Sequence, residues 1–261
     1  MNDFFFTTPS FFVNYLILWT SDYFFMDRKV HMKNVIYFHI CCINNWKEIV
    51  MDIFSQIYAS GLYDAVDEIR CVMLGPITNL EIMERRIPFL KDPKVRVIHI
   101  SKSLKMREVF TINCIWNDAQ NEDFNVLYLH SKGVTHNGTN SNVKDWVQLL
   151  LHFNVHRYDE CLEQLKTCDT VGINLRRTPE IHYSGNFWWS KSSHIRTLNQ
   201  LADTCYNGPE WWIATNPRAI YKSIWNSNIN HYEKRYYPFQ YMNVLYLNPR
   251  TLHRLTSVEK M

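Results

Sequence analysis

Glycine fingerprints are missing from this chain. It contains 7 glycines, and neither G-x-G-x-x-G nor G-x-x-x-x-G-K-[ST] occurs among them, which argues against a dinucleotide dehydrogenase or a P-loop enzyme. No G-x-S-x-G elbow occurs, which argues against an α/β-hydrolase. The 7 cysteines, at 41, 42, 71, 114, 161, 168 and 205, form no C-x-x-C pair. That pattern fits reduced, mostly buried thiols of an intracellular, cytoplasmic protein rather than a disulfide framework or a zinc site. The formal charge is only +3 and no Lys/Arg run tracks phosphates, so nucleic acid is not an expected partner. No metal–carboxylate cluster or nucleophile motif appears, which disfavours a phosphatase or nucleotide hydrolase. The lone sequon Asn137-Gly138-Thr139 is common by chance and carries little weight.

What is present is globular. The chain has 261 residues, 46% hydrophobic and 20% charged, enough for one large α/β domain with a sizeable core. Residues 1–31 form an apolar extension to it. Its "FFFTTPSFFVNYLILWTSDYFFMDRK" is broken by Pro9, Asn14, Ser21 and Asp22, a poor membrane span. It lacks a basic leader and a cleavage site, so it is also a poor signal peptide. Three readings stand: a weak membrane-surface segment giving peripheral association, a tail packed on the domain, or residues upstream of a start at Met26 or Met32.

From Asn34 the pattern is regular. "NVIYFHICCI", "DEIRCVMLG", "KVRVIHIS" and "FNVLYLH" are apolar, β-branched runs expected to be strands. Between them lie "NWKEIVMDIFSQIYASG", with Gly61 as its stop, and "LKMREVFTINCIWNDAQ", both at helical spacing. Strands alternating with helices imply βαβ units and a mainly parallel sheet flanked by helices. Further on, "NVKDWVQLLLHFNVHRYDECLEQLKTC" is expected to be one long amphipathic helix, and "DTVGINL" a strand. "HYSGNFWWSK" is expected to be a short extended element. "SSHIRTLNQLA", capped by Ser192 or Ser193, and the segment after Pro209 are shorter helices. "NVLYLNP" is a last strand. Residues 32–135 form a nucleotide-type half and 136–261 a substrate-type half of one domain.

Three clusters can carry chemistry. His130, Ser131, Lys132 and Gly133 leave the fourth strand at the edge where open α/β sheets bind ligands. Lys132 offers a compact charge for a phosphate, Gly133 a close backbone approach, and His130 a donor, an acceptor or a metal ligand. An ordinary solvated turn is the plain alternative. In "EIHYSGNFWWSK", Trp188 and Trp189 can stack on sugar rings, with His182 and Asn186 on the same edge. The plain alternative is core, expected for at least one of the two tryptophans. Glu210 in "NGPEWWIATNP" opens a helix, where the helix dipole alone accounts for an acid. The functional alternative is a general base at the mouth of the sheet.

The ordered series "SGLYD", "REVFTINCIW", "YLHSKGVTH", "W..LLLHFNV.R...CL..L...DTVGINL", "HYSGNFWWSKSSHI" and "PEWWI" resembles a group of glycosyltransferase-like proteins. That group carries "YLHTKG" and "SGNFWW" signatures and occurs in bacteria, plants, algae and large DNA viruses. The resemblance spans roughly Val35 to Ile213 and implies a GT-A-like nucleotide-diphospho-sugar transferase fold. It implies transfer of a sugar from a nucleotide-sugar donor to a hydroxyl of a glycan, protein or lipid. The rival is a catalytically inactive carbohydrate- or nucleotide-binding module on the same fold. Many such enzymes hold a divalent metal (Mn or Mg) on Asp-x-Asp at the end of the fourth strand. This chain has His130-Ser131-Lys132 there and no Asp-x-Asp, so Lys132, with His130, is expected to take the metal's place, and metal dependence stays open. By the same resemblance His39, Asn44, Asn45, Glu108, Ser131 and Gly133 border the donor. His182, Ser184, Gly185, Asn186, Trp188 and Trp189 border the sugar and acceptor, and Glu210 is the base of an inverting displacement.

Overall fold

The apolar run after Met32 forms the centre of a sheet. A computed structural model describes residues 32–77, 87–202 and 205–242. The strand expected at "NVLYLNP" and the residue 1–31 extension lie outside the described residues. β1 (Lys33–Cys41) pairs in parallel with β2 (Glu68–Leu74) on one side and β4 (Phe124–His130) on the other. β3 (Val95–Ser101) runs parallel to β2 at the edge. Beyond β4 come β5 (Thr170–Gly172), β8 (Trp188–Lys191) and β9 (Tyr221–Ser223). The seven-stranded order is β3-β2-β1-β4-β8-β5-β9. Only β8 runs against its neighbours β4 and β5, while β9 is parallel to β5. The expected α/β architecture, a mainly parallel sheet between helices, is therefore present. β6 (Leu175–Arg176) and β7 (His182–Tyr183) make a separate small ribbon.

Both faces of the central strands are covered, which is why β1 and β4 are mostly apolar. On one face Ile36, Phe38, Leu127 and Leu129 pack with helix α1 (Trp46–Ser60) and with Leu149 and Leu150. α1 stops at Gly61, left-handed at φ 83°, whose N–H bonds the Tyr58 carbonyl; α2 (Leu62–Ala65) follows directly. On the other face Val35, Tyr37, Val126 and Tyr128 meet Ile112 and Ile115 of α3 (Arg107–Ala119). A buried charge also pins α3. Arg70, in the middle of β2 and 7% exposed, bonds Glu68, Asp118 at 2.7 Å, Glu122 at 3.0 Å and the Tyr37 hydroxyl at 2.6 Å.

The long helix expected after Asn142 is divided. α4 (Ser141–Leu151) passes into a π-helical turn at His152–His156, and α5 (Tyr158–Gln164) starts anew. The reason is hydrogen bonding. The wider turn frees the Asn154 carbonyl, which accepts from the Trp189 indole at 2.9 Å, and the Phe153 carbonyl accepts from the Cys161 thiol at 3.4 Å. The later helix is shorter than expected: α6 is only Ser192–Ile195. Groups from α3 take the following backbone: the Trp116 indole bonds the Leu198 carbonyl at 2.8 Å, and Asn113 bonds both backbone groups of Leu201. Lys191, not a serine, sits at its N-cap; Ser192 Oγ instead accepts from the Phe124 N–H at 3.1 Å. α7 (Gly208–Trp212) starts with Pro209 in its first turn, as expected. Among the described residues no helix is long and apolar enough to cross a membrane, and all 7 cysteines are free thiols.

Candidate functional site

The chain runs outward from β1 to β2 to β3, then returns to place β4 on the other side of β1. That reversal opens a crevice beyond the carboxyl ends of β1 and β4, the place where open α/β sheets bind ligands. A cavity of about 510 Å³ lies there. His39 and Cys41 from β1, Glu108 from α3, His130 to Gly133 from the end of β4, Gly185 and Asn186, and Glu210 all line it.

The turn from β4 is built to face the crevice. Ser131 N–H donates to the His39 carbonyl at 2.9 Å, and Ser131 Oγ accepts from the Cys41 N–H at 2.9 Å. Ser131 thereby ties the two strand ends together. Gly133 turns the chain at φ 92°, with the Val143 side chain 3.1 Å from where a Cβ would stand. Lys132 then lies with its ammonium 3.8 Å from the centroid of the Trp146 ring. It makes no ion pair with any described carboxylate. Burial lowers its pKa below the usual lysine value, and the charges of Glu210 and Glu108 oppose that shift.

Opposite Lys132 stands a carboxylate–imidazole pair. Glu108 Oε2 accepts from the Tyr128 hydroxyl and from Asn186 Nδ2, both at 2.7 Å. Asn186 is held for this at φ 57° while its Oδ1 accepts from the Trp188 indole at 3.0 Å. His130 Nε2 is 3.1 Å from the Gly185 carbonyl. A carbonyl only accepts, so Nε2 carries the proton and Nδ1 of the neutral ring is a bare acceptor. That Nδ1 lies 3.7 Å from Glu108 Oε1. Burial lowers the His130 pKa and Lys132 adds to the effect, against the Glu108 charge. Burial by itself would raise the Glu108 carboxyl; His130, His39 and the two hydrogen bonds outweigh it and hold the group below its ordinary value. Two proton acceptors thus face each other across a gap with no donor between them. His39 Nδ1 is bonded to Thr111 Oγ1 at 2.8 Å, and burial pushes its pKa down to about 4.

The other expected residues divide. Glu210 reaches the cavity, with Oε1 accepting from the Gly185 N–H at 2.8 Å. Asn44 and Asn45 are outside it: Asn44 Nδ2 bonds the Val134 carbonyl at 2.8 Å, and Asn45 packs where a Cβ on Gly138 would stand. Both support the 131–138 loop from beneath. His182 and Ser184 line a second cavity instead. Trp188 and Trp189 are corrected from sugar contacts to core. Both are 0% exposed and, as neighbours on β8, point to opposite faces of the sheet. The aromatic groups that do border the crevice are Trp146, Tyr206 and Tyr232. Trp146 lies in an amphipathic helical run, a pattern that signals core, and the two tyrosines carry no local signal.

The fold is that of an α/β protein with a crevice at the switch point of a mostly parallel sheet. The chain belongs to DUF8361, a domain of unknown function, whose family model matches residues 43–206. The match takes in Glu108, His130, Lys132 and Asn186 and leaves His39, Glu210 and Tyr232 outside. No curated protein matches the chain.

Proposed function

We propose that this protein is a GT-A-like glycosyltransferase of the cytoplasm, moving a sugar from a nucleotide-sugar donor to a hydroxyl of a glycan, protein or lipid. The observation that carries the reading is the pairing inside one crevice of a cation lacking an acidic partner with two facing acceptor atoms, His130 Nδ1 and Glu108 Oε1, that have no donor between them. Lys132 is suited to a diphosphate: an ammonium has three donors, and here its near neighbour is a ring face. The side chains at the end of β4 do not fit a divalent ion. Among the described residues no group of three His, Cys, Asp or Glu is placed to hold one, and an ammonium stands in the middle of the turn.

The chemistry follows from the geometry. The acceptor hydroxyl lies against His130 Nδ1. Its oxygen attacks the anomeric carbon of the donor while the bond from that carbon to the diphosphate oxygen breaks. The bonding pair leaves with the nucleoside diphosphate, whose charge meets Lys132. The hydroxyl proton passes to Nδ1, and the imidazolium is stabilised by Glu108 Oε1. His130 is preferred to Glu210 as the base because one Glu210 oxygen is already bound to the Gly185 N–H. Glu210 then positions the Gly185 turn.

The test is a thermal-shift screen against UDP, GDP, CMP and dTDP sugars, each with EDTA and with manganese, followed by a transfer assay. A donor at 100 times its Kd stabilises the folded state by about 2.7 kcal/mol. Lys132→Met is expected to lose that shift. His130→Gln is expected to keep the shift and lose transfer, with Glu210→Gln less affected. No shift with any donor sinks the proposal. Binding without turnover in the natural protein would favour the inactive binding module.

A further inference from the structure

Behind Trp146 lies a second cavity of about 570 Å³, which shares Trp146 and Tyr232 with the first. Its described wall contains Arg176 and no carboxylate. Arg176 Nη2 donates to the Ile229 carbonyl at 2.9 Å. A guanidinium has five N–H donors in a fixed fork, so most of its capacity is left for something else.

The state of His231, on the same wall, follows from its neighbours. The Ser227 N–H donates to Asn174 Oδ1 at 2.8 Å, which fixes the orientation of that amide. Asn174 Nδ2 is then the donor toward His231 Nε2 at 3.3 Å, and Ser227 Oγ lies 2.8 Å from the same nitrogen. Ser227 Oγ is also 3.0 Å from Asn174 Oδ1, so its single proton serves either partner and the His231 ring carries its proton on Nε2 or on Nδ1 accordingly. Burial, with Arg176 and Lys132, pushes the His231 pKa down to about 4, so the ring is neutral near pH 7. His231 stacks on Trp146 at 5.2 Å with 12° between planes. Both His231 Nδ1 and the Trp146 indole N–H are buried without a partner among the described residues.

Two stranded polar groups side by side are costly, at about 1–3 kcal/mol each. With an arginine that has donors to spare and no carboxylate on the described wall, the cavity offers unused donors and no competing anion. Tyr232, 64% exposed and edge-on to Trp146 at 5.0 Å, stands between the two cavities. We propose that the second cavity binds a small molecule bearing an oxyanion, a phosphate or a carboxylate. Arg176 grips the anion, and the Trp146 N–H becomes a donor to the ligand as the Tyr232 ring turns aside. This assignment does not depend on glycosyl transfer in the first crevice.

The experiment is a titration of the 15N-labelled full chain, reading the indole N–H signals of its 9 tryptophans. The Trp146 signal is identified by its loss in Trp146→Phe. The probes are glucose 1-phosphate and glucuronate, with methyl glucoside as the neutral control at matched ionic strength. The expected result is a saturable movement of the Trp146 signal with one or both anions and none with methyl glucoside. A response to the phosphate alone or the carboxylate alone supports the site and names the anion. Arg176→Gln is expected to weaken binding about tenfold or more, the scale of one lost charge-assisted contact. Arg176→Lys, which keeps the charge and loses the fork, is expected to fall between and covers the case in which Arg176→Gln disturbs the fold. Lys132→Met is expected to weaken binding less than Arg176→Gln does. No saturable movement, or equal movement with methyl glucoside, overturns the proposal. So does a response that Lys132→Met abolishes and Arg176→Gln spares, because the anion then lies in the first crevice.

Discussion

Replacing Gly185 by alanine tests how the Ser-Gly-Asn turn builds the crevice. Gly185 sits at φ 98°, and a Cβ there would stand 2.8 Å from Leu150 Cδ1 and 3.1 Å from Trp146 Cε2. A left-handed backbone costs an L-residue about 1–2 kcal/mol, and forcing a methyl group into a packed core costs about 1–3 kcal/mol. The sum, about 2–5 kcal/mol, is a large part of the stability of an ordinary domain. For a domain of this size it lowers Tm by about 2–4 °C per kcal/mol. Gly208→Ala is the matched control. Its φ is not left-handed, and its Cβ would meet Cys205 Sγ at 3.5 Å and Leu201 Cδ1 at 3.6 Å, ordinary contacts. The assay is the thermal midpoint of both variants beside the natural chain. Gly208→Ala should lie close to the natural chain and Gly185→Ala well below it. Equal losses, or a Gly185→Ala variant of natural stability, would refute the reasoning.

His39 makes stability fall in mild acid. Its folded pKa is about 4 against an ordinary 6.5, so between those values the unfolded chain binds a proton that the folded chain does not. The contribution is fully present above pH 6.5 and is lost as pH falls toward 4, by about 3 kcal/mol; urea midpoints of His39→Gln across that window should show a shallower acid slope. Trp189→Phe leaves the Asn154 carbonyl without its indole donor and opens space in the core, and should cost about 2–4 kcal/mol in urea denaturation. Arg70→Ala breaks a buried charge cluster, leaving Glu68, 8% exposed, with Lys33 and Arg96 alone; a loss of about 3–5 kcal/mol is expected, and a loss under 1 kcal/mol would show that the cluster is not load-sharing. The transfer assay proposed above should lose rate on its acid side as His130 takes up a proton, at a pH below the ordinary histidine value because burial lowers its pKa; an acid limb at or above that value would point to a different base.

Local pattern alone determined the first four strands of the sheet and the helices between them. β4 runs from Phe124 to His130, the span of its apolar run, because a strand buried on both faces must be apolar throughout and ends where polar residues begin. The same logic placed His130 to Gly133 at the carboxyl edge, and Gly61 at the end of α1. What a run of residues cannot encode is which face a side chain takes in a sheet whose partners lie far away in the chain. Trp188 and Trp189 look alike in sequence, yet β8 sends them to opposite sides of the sheet, both into core. The π-helical turn at His152–His156 likewise depends on an indole 35 residues away. The Glu108–His130 pair and the Trp146–His231 stack were decided only by tertiary structure: the first needs α3 packed over β4, the second needs the segment after β9 folded back on α4. Hydrophobic periodicity is a property of neighbours along the chain. The positions of protons and charges in the crevice depend on contacts between segments that only the folded chain brings together.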